Sequence, residues 1–194
     1  MTTASVLDDN PGPYMLADLE AMPDDGRRFE LIDGGLHVTP APIRLHQRVA
    51  YRLNRLLNDA AVPGLEAVET IDVQCGPDTV LEPDVIVLPS SVVEDPDRFA
   101  ASRHVALVVE IESSSSRLVD RFLKRQIYAD AGIPTYLLVE LTLPAVTWYG
   151  LSGVGRYAIR GTATGTEALR LAEPFEVDIV PDDLVRRYSG CAHS

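Results

Sequence analysis

Lysine and cysteine are both scarce in this chain of 194 residues. The two cysteines, Cys75 and Cys191, lie far apart and outside any CxxC or histidine-rich stretch, which argues against a disulfide framework and a structural zinc site. No run of about 18 apolar residues occurs, so no membrane-spanning helix is expected. The N-terminal stretch lacks a basic end followed by an apolar segment, which argues against a secretory signal. We therefore expect a cytoplasmic protein.

Positive charge is also in short supply, since the formal net charge is -12 and the pI about 4.6. An acidic surface argues against a nucleic-acid partner, because the phosphate backbone attracts basic surfaces. That objection concerns the surface as a whole, and a local concentration of arginine overrides it. The distribution of the basic residues along the chain is therefore more informative than their number.

Lys124 is the only lysine among the 17 Lys and Arg residues. Two interpretations stay open at this point. A strong bias toward arginine is typical of a GC-rich coding background, in which a single lysine has no special meaning. Alternatively, Lys124 marks a place that needs a compact, mobile ammonium group, for which a planar guanidinium does not serve.

Hydrophobic periodicity and turn residues predict a mixed α/β domain around one sheet. A strand–helix–strand pattern over residues 104–139 is typical of a right-handed parallel crossover. The predicted boundaries are a disordered lead over 1–13, a single domain over 14–188 and a C-terminal tail over 189–194. The other predicted elements are a short N-terminal helix that Pro23 stops, a hairpin with strands Phe29–Ile32 and Leu36–Thr39, a helix over 43–60, strands near 66–73 and 80–88, antiparallel strands at "AVTWYGL" and "GRYAIRG", and a terminal helix at "PDDLVRRY".

Two predicted strands carry acids within otherwise apolar sequence. In "LVVEIESSSS" side-chain alternation places Glu110 and Glu112 on one face, and in "LEPDVIVLP" it does the same for Glu82 and Asp84. Buried carboxylates need cations, a metal or solvent. If the strands are neighbours, Asp84 and Glu110 converge on one point, as a hard cation such as Mg²⁺ requires. Pairing with arginine on a neighbouring element is the alternative, and spacing alone does not separate the two.

The order of these motifs resembles a known family. The segments "RRFELIDGGL", "PAPIRLHQRV", "LEPDVIVL", "LVVEIESSSSRLVDRFLKRQIYADAGIPTYLLVE" and "VTWYGL" are similar to the restriction endonuclease family of the Uma-two type, within the PD-(D/E)XK nuclease superfamily. The resemblance covers roughly residues 14–188. It implies a restriction-endonuclease-like mixed central sheet flanked by helices, with an N-terminal helix and β-hairpin, and phosphodiester hydrolysis with Mg²⁺ or Mn²⁺.

The resemblance also implies roles for individual residues. Asp84 matches the Pro-Asp acid and Glu110 the second acid, and with the Ile111 backbone carbonyl they would hold the metal. Glu112 stands where the superfamily has its lysine, and it is either a third ligand or an acid that supports the ligands. Lys124, on the following helix, would take over the role of that lysine. Glu30 matches an additional N-terminal acid, which would hold a second ion or Lys124 itself.

Two predicted helices concentrate eight of the 17 basic residues. The resulting stripes run beside apolar stripes, so each helix can bury one side and present cations on the other. Solvated arginines paired with nearby acids are the alternative, and for His46 the alternative is an ordinary polar residue. The residues of the predicted nucleic-acid groove are Arg44, His46, Arg48, Arg52 and Arg55 on the first helix, and Arg117, Arg121, Lys124 and Arg125 on the second.

The leading expectation is a metal-dependent nuclease acting on nucleic acid, DNA rather than RNA, as a homodimer that pairs through edge strands near "AVTWYGL". A catalytically inactive interaction or nucleic-acid-binding domain with the same fold is the main alternative, and a small-molecule phosphodiesterase is a third. Clustered acids disfavour one another's ionisation, so we expect a raised pKa for at least one of Asp84, Glu110 and Glu112. Lys124 is expected to be partly exposed, with Asp120 as its partner if its role is structural.

Overall fold

The computed structural model describes residues 12–23, 25–112 and 119–187, with side chains from residue 122 onward in the last range. None of the helices in these ranges is long and apolar enough to cross a bilayer. The α-helices are α1 (Leu16–Glu20), α2 (Arg44–Ala60), α3 (Ser90–Val93), α4 (Arg125–Asp130) and α5 (Pro181–Val185). The strands are β1 (Arg28–Ile32), β2 (Gly35–Thr39), β3 (Leu65–Glu69), β4 (Val73–Gly76), β5 (Thr79–Leu81), β6 (Val85–Pro89), β7 (Ala100–Ala101), β8 (Leu107–Glu112), β9 (Thr135–Glu140), β10 (Ala145–Leu151), β11 (Tyr157–Thr164), β12 (Leu169–Leu171) and β13 (Val177–Ile179).

A six-stranded mixed sheet, in the order β11-β10-β9-β8-β6-β3, forms the centre of the molecule. A five-stranded sheet of order β2-β1-β5-β4-β7 and a two-stranded sheet of β12 and β13 accompany it. Alternation along the central strands separates two cores. Val109 and Ile111 of β8 face α2, whereas Val108 faces Tyr128 of α4 and the five-stranded sheet. The central sheet is therefore covered on both faces, which explains why β8 is buried at every position.

The prediction of a single sheet was wrong, because both long strands predicted between residues 66 and 88 are broken. The first is interrupted after β3, where Thr70 adopts a positive φ of 55°. The second is interrupted between β5 and β6 by Pro83, which has no N–H to donate to a ladder. At each break the chain passes from one sheet to the other. Glu82 and Asp84 thus lie at the junction of the two sheets, where their side chains are released from the regular pleat.

The crossover predicted from the "LVVEIE" and "TYLLVE" runs is confirmed. Strands β8 and β9 pair in parallel, with Leu107 opposite Thr135 and Glu112 opposite Glu140. The helix between them begins with a π-helical turn over Val119–Lys124 and continues as α4. The π-helix is rare and concentrates at functional sites, since its wider turn changes the direction of the side chains. Here the turn ends at the single lysine.

The strand chosen as the dimer edge does not lie at an edge. Strand β10, "AVTWYGL", pairs with β9 on one side and with β11 on the other, so its backbone groups are already engaged. At that side of the central sheet the terminal strand is β11, which exposes Ile159. The homodimer remains a prediction, but β10 is not the strand through which two copies can pair.

Two of the arginines predicted to face nucleic acid instead bind the C-terminal helix. The Arg48 guanidinium donates to the Val185 carbonyl at 2.7 Å. Arg52 Nη1 lies 2.7–3.0 Å from the carbonyl oxygens of Asp183, Leu184 and Arg186. The last carbonyls of a helix have no partner within the helix and carry partial negative charge, which a cation satisfies. These arginines therefore attach α5 to α2.

We expect the replacement Arg52→Ala to lower the free energy of unfolding by about 1–3 kcal/mol, because it removes charged hydrogen bonds to these carbonyls. The matched control is Arg55→Ala on the same helix, where a 66% exposed side chain lies 3.7 Å from Asp59. An exposed pair of this kind contributes less than about 1 kcal/mol. Urea unfolding of both variants measures the difference, and equal stabilities would contradict the structural role of Arg52.

Candidate active site

Asp84 and Glu110 lie at the same level of two neighbouring strands. The antiparallel register pairs Val85 of β6 with Val109 of β8, so the residue before β6 comes beside Glu110. The Asp84 N–H donates to the Val109 carbonyl at 3.1 Å and fixes this position. Both acids are 2% exposed. The sequence expectation that the two acids belong to adjacent strands is thus met.

The Asp84 carboxylate is held by three donors. Oδ1 accepts from Arg28 Nη1 at 2.6 Å, and Oδ2 accepts from the Ile111 backbone N–H at 2.7 Å. His46 Nε2 lies 3.1 Å from Oδ2. Burial by itself raises the pKa of Asp84, but the hydrogen bonds and charges of His46 and Arg28 outweigh it, so the pKa lies below its ordinary value. A raised pKa was expected for at least one of Asp84, Glu110 and Glu112, and Asp84 is not that residue.

His46 projects from α2 into this cluster and is only 5% exposed. Its Nε2 lies 3.0 Å from the Ile111 carbonyl oxygen as well as 3.1 Å from Asp84 Oδ2. Both neighbours are acceptors in these contacts, so Nε2 carries a proton. The imidazole thus lies at the point where two hard oxygens converge, inside the site and not along a surface groove.

Lys124 is buried between two acids. Its Nζ lies 2.8 Å from Glu30 Oε1 and 3.2 Å from Glu110 Oε1, and the residue is 6% exposed. Glu110 Oε1 also accepts a 2.6 Å hydrogen bond from the Tyr128 hydroxyl. The expectation of a partly exposed lysine was wrong. The Asp120 side chain, proposed as its structural partner, lies outside the described residues.

Arg28 connects the two halves of the site. Its Nε lies 3.2 Å from Glu82 Oε1, while its Nη1 binds Asp84. The Glu82 backbone N–H donates to Glu30 Oε1 at 2.9 Å, and Glu30 in turn contacts Lys124. One chain of polar contacts therefore runs from His46 to Tyr128: His46, Asp84, Arg28, Glu82, Glu30, Lys124, Glu110 and Tyr128.

Sequence reasoning missed Arg28 and Tyr128, although each has a signal. Arg28 stands two residues before Glu30 on β1, so alternation places both side chains on one face. Tyr128 follows Lys124 by four residues, one helical turn later, so the two share a helix face. Once Glu30 and Lys124 are assigned to a site, these neighbours follow from spacing.

The remaining predicted residues have different surroundings. Glu112 is 6% exposed and shares the face of Glu110, while Arg44 is exposed at the start of α2. Arg55 pairs with Asp59, and Arg125 stacks on Phe122 and Tyr149. Arg117 and the Arg121 side chain lie outside the described residues, as does Cys191.

The donor set suits a hard divalent cation. Asp84 Oδ2 and the Ile111 carbonyl oxygen already converge within 3.0–3.1 Å of one position, and Glu110 lies on the adjacent strand. Carboxylate and carbonyl oxygens are the ligands that Mg²⁺ prefers. Within the described ranges, no three His, Cys, Asp or Glu side chains form a group that could hold a metal ion, and nitrogens of Arg28, His46 and Lys124 lie beside the oxygens of Asp84 and Glu110. A metal at this point would replace His46 Nε2.

The pKa of Glu82 makes the site sensitive to pH. Burial raises this pKa from 4.5 to about 7, and neighbouring Arg28 opposes the rise. A carboxyl with a higher pKa in the folded state binds more protons there, so stability falls as the pH rises between these two values. Asp84 acts oppositely and at lower pH: its lowered pKa contributes stability that is present above 3.8 and is lost on acidification.

We expect Glu82→Gln, which mimics the protonated acid, to melt higher than the wild type at about pH 8, with a smaller difference or none at about pH 5. Scanning calorimetry across this range measures the effect. The control is Glu176→Gln, at a side chain that is 71% exposed, and it is expected to follow the wild-type profile. Parallel pH profiles for Glu82→Gln and the wild type would mean that Glu82 is ionised throughout.

Comparisons with known proteins give a fold and a family. A crystal structure described as "a putative nuclease belonging to DUF820" from Anabaena variabilis ATCC 29413 matches with a TM-score of 0.66 and 18% identity, covering 89% of this chain and 98% of that one. At this identity the likeness shows the fold. A comparison with curated proteins gives no match. The Uma2 family model, "Putative restriction endonuclease", matches residues 16–182. The chain therefore belongs to the Uma2 family, with a nuclease-like α/β fold.

Proposed function

We propose that this protein is a metal-dependent nuclease that hydrolyses phosphodiester bonds, with Mg²⁺ or Mn²⁺ as cofactor and DNA rather than RNA as substrate. One observation carries the proposal: two acids from neighbouring strands, a backbone carbonyl and the single lysine meet in one buried network. Nuclease chemistry needs hard oxygens for a cation and a positive group near the scissile phosphate. Family membership supports the same reaction class.

Asp84, Glu110 and the Ile111 carbonyl would hold the cation, which when bound lowers the pKa of a water and stabilises charge on the phosphate. The Ile111 N–H fixes the Asp84 carboxylate, and Tyr128 fixes Glu110. Lys124 would orient the attacking water or neutralise the charge that develops on the phosphate. Glu30, at 2.8 Å from Nζ, holds that ammonium in place and is more naturally its support than a ligand of a second ion.

A nuclease-fold domain without catalytic activity is the second candidate, and one observation favours it. Asp84 is already paired with Arg28 and His46, and Glu110 with Lys124, so the described acids of the site are compensated without a metal. A buried ion network of this kind is also sufficient to specify a fold. Metal binding and cleavage separate the two candidates.

Manganese is expected to raise the melting temperature of the wild type. A ligand that binds only the folded state stabilises it by about 2.7 kcal/mol at a hundredfold excess over Kd. Asp84→Asn should abolish this rise, because it removes a charged ligand while keeping the side-chain shape. The control, Asp59→Asn, alters an exposed acid on α2 and should retain the rise. A wild-type melting temperature that ignores millimolar Mn²⁺ would favour the non-catalytic domain.

Lys124→Arg is expected to lower cleavage by a factor of about 10² or more, as is typical when an acid–base or charge-stabilising group is lost. The larger planar guanidinium does not fit the small space between Glu30 and Glu110.

Lys124→Ala should also cost about 3–5 kcal/mol of stability, because it leaves two buried carboxylates without their cation.

The assay uses Mn²⁺ with mixed single- and double-stranded DNA and RNA, and circular dichroism checks that each variant is folded. Arg55→Lys, an exchange of the same two cations at an exposed position, is the control. Cleavage by Lys124→Arg at the wild-type rate would make Lys124 a purely structural ion-pair partner. A wild type that cuts none of the substrates would favour the non-catalytic domain.

A further inference from the structure

A cleft of about 770 Å³ opens directly beside the candidate active site. Arg28 and Glu82 belong both to its lining and to the buried network, so the cleft reaches the acids through these two side chains. Gln47, the residue after His46 on α2, also lines the cleft. A molecule in the cleft would therefore contact Arg28, whose guanidinium binds Asp84.

The volume of the cleft limits what can enter it. It corresponds to a cube with an edge of about 9 Å, within the range of roughly 300–1,000 Å³ that is usual for small-ligand pockets. A nucleotide or two fits such a space. A duplex does not fit, because it is wider than its own major groove, which is about 12 Å wide.

Two stacked pairs of planar side chains line the cleft. The Arg27 guanidinium lies 5.0 Å from the centre of the Phe29 ring, and the Arg98 guanidinium lies 5.3 Å from that of Phe99. The two arginine side chains are 41% and 44% exposed. Aromatic rings and guanidinium planes are the surfaces on which unpaired bases stack. Each pair thus places a partly exposed guanidinium plane in the cleft lining, on which a flat, polar ring can stack.

The charge of the cleft lining favours contacts with bases and not with a long row of phosphates. Its described lining contains four arginines and four acids: Arg27, Arg28, Arg98, Arg103, Asp72, Glu82, Asp95 and Asp97. Duplex binding depends on many phosphate contacts with basic groups. Arg48 and Arg52, predicted for that purpose, bind the carbonyls of α5. Stacking with one or two phosphate contacts is what the cleft can supply.

We propose that the cleft binds an unpaired nucleotide of a single-stranded nucleic acid and presents the adjoining phosphodiester to Asp84 and Glu110. This inference rests on the proposed nuclease function and names its substrate class as single-stranded. Arg27 and Arg98 stack on the base, and Arg28 and Arg103 lie within reach of its phosphates.

Fluorescence anisotropy tests the binding without metal or cleavage, in EDTA. The probes are a short labelled DNA strand of mixed sequence, the same strand in a duplex, and the RNA equivalent. We expect the wild type to bind the single strands at least tenfold more tightly than the duplex. The slope of log K against log salt should be shallow, at about -0.7 for each of a few phosphate contacts.

Arg27→Ala should weaken single-strand binding about tenfold, which is the range for the loss of one base stack. Arg27→Lys keeps the charge and loses the plane, so it should weaken binding to a similar extent. The matched control is Arg170→Ala, which removes another exposed arginine paired with an acid, here Glu176, on the two-stranded sheet. It should bind as the wild type does.

Tighter binding of the duplex, no binding of any probe, or equal affinities for Arg27→Ala and Arg170→Ala would overturn the proposal. Full binding by Arg27→Lys would overturn the stacking role. The cleavage assay keeps the two proposals apart. If Arg27→Ala cleaves at the wild-type rate, the protein is a nuclease that does not use this cleft. If Arg27→Ala weakens single-strand binding but the wild type cleaves no substrate, the cleft binds single strands and the nuclease function is wrong.

Discussion

The site is organised by the cost of burying negative charge. Glu30, Asp84, Glu110 and Glu112 are each at most 6% exposed, and an isolated buried carboxylate is too costly for a domain of marginal stability to keep. For Glu30, Asp84 and Glu110, the described structure offsets this cost with nitrogen donors from three separate elements: Arg28 on β1, His46 on α2 and Lys124 at the end of the π-helical turn. Through these contacts the acids connect the two larger sheets with α2 and the π-helical turn.

The same compensation bears on function. Asp84 Oδ2 and the Ile111 carbonyl oxygen both contact His46 Nε2. A cation bound by these two oxygens would displace His46 Nε2, because metal binding and these hydrogen bonds use the same oxygens. Lys124 and Arg28 contact other oxygens of the acids, Glu110 Oε1 and Asp84 Oδ1, so both can remain beside a metal bound by Asp84 Oδ2 and the Ile111 carbonyl. In the proposed nuclease, stability and chemistry would therefore depend on the same residues.

Much of the central architecture was predictable from local pattern. The β1–β2 hairpin, helix α2 and the β8–β9 crossover follow from turn residues and periodicity, which act over a few residues. The divided sheets were not predictable in this way. Strand propensity continues across Thr70 and Pro83, and only the pairing of β5 with β1 and of β4 with β5 shows that the chain changes sheets at these residues. The short strands β12 and β13 were missed because three-residue strands carry too little pattern.

The sequence by itself determined which residue types were available for the site: one lysine, acids at alternate positions of apolar strands, and a family resemblance that assigned roles to Asp84, Glu110 and Lys124. Tertiary structure alone decided their partners. It turned Arg48 and Arg52 toward α5, brought His46 inside and added Arg28, because long side chains choose among acceptors that lie far apart in sequence. Spacing along a chain fixes which face a side chain occupies, whereas the charge it meets there depends on the element packed against that face.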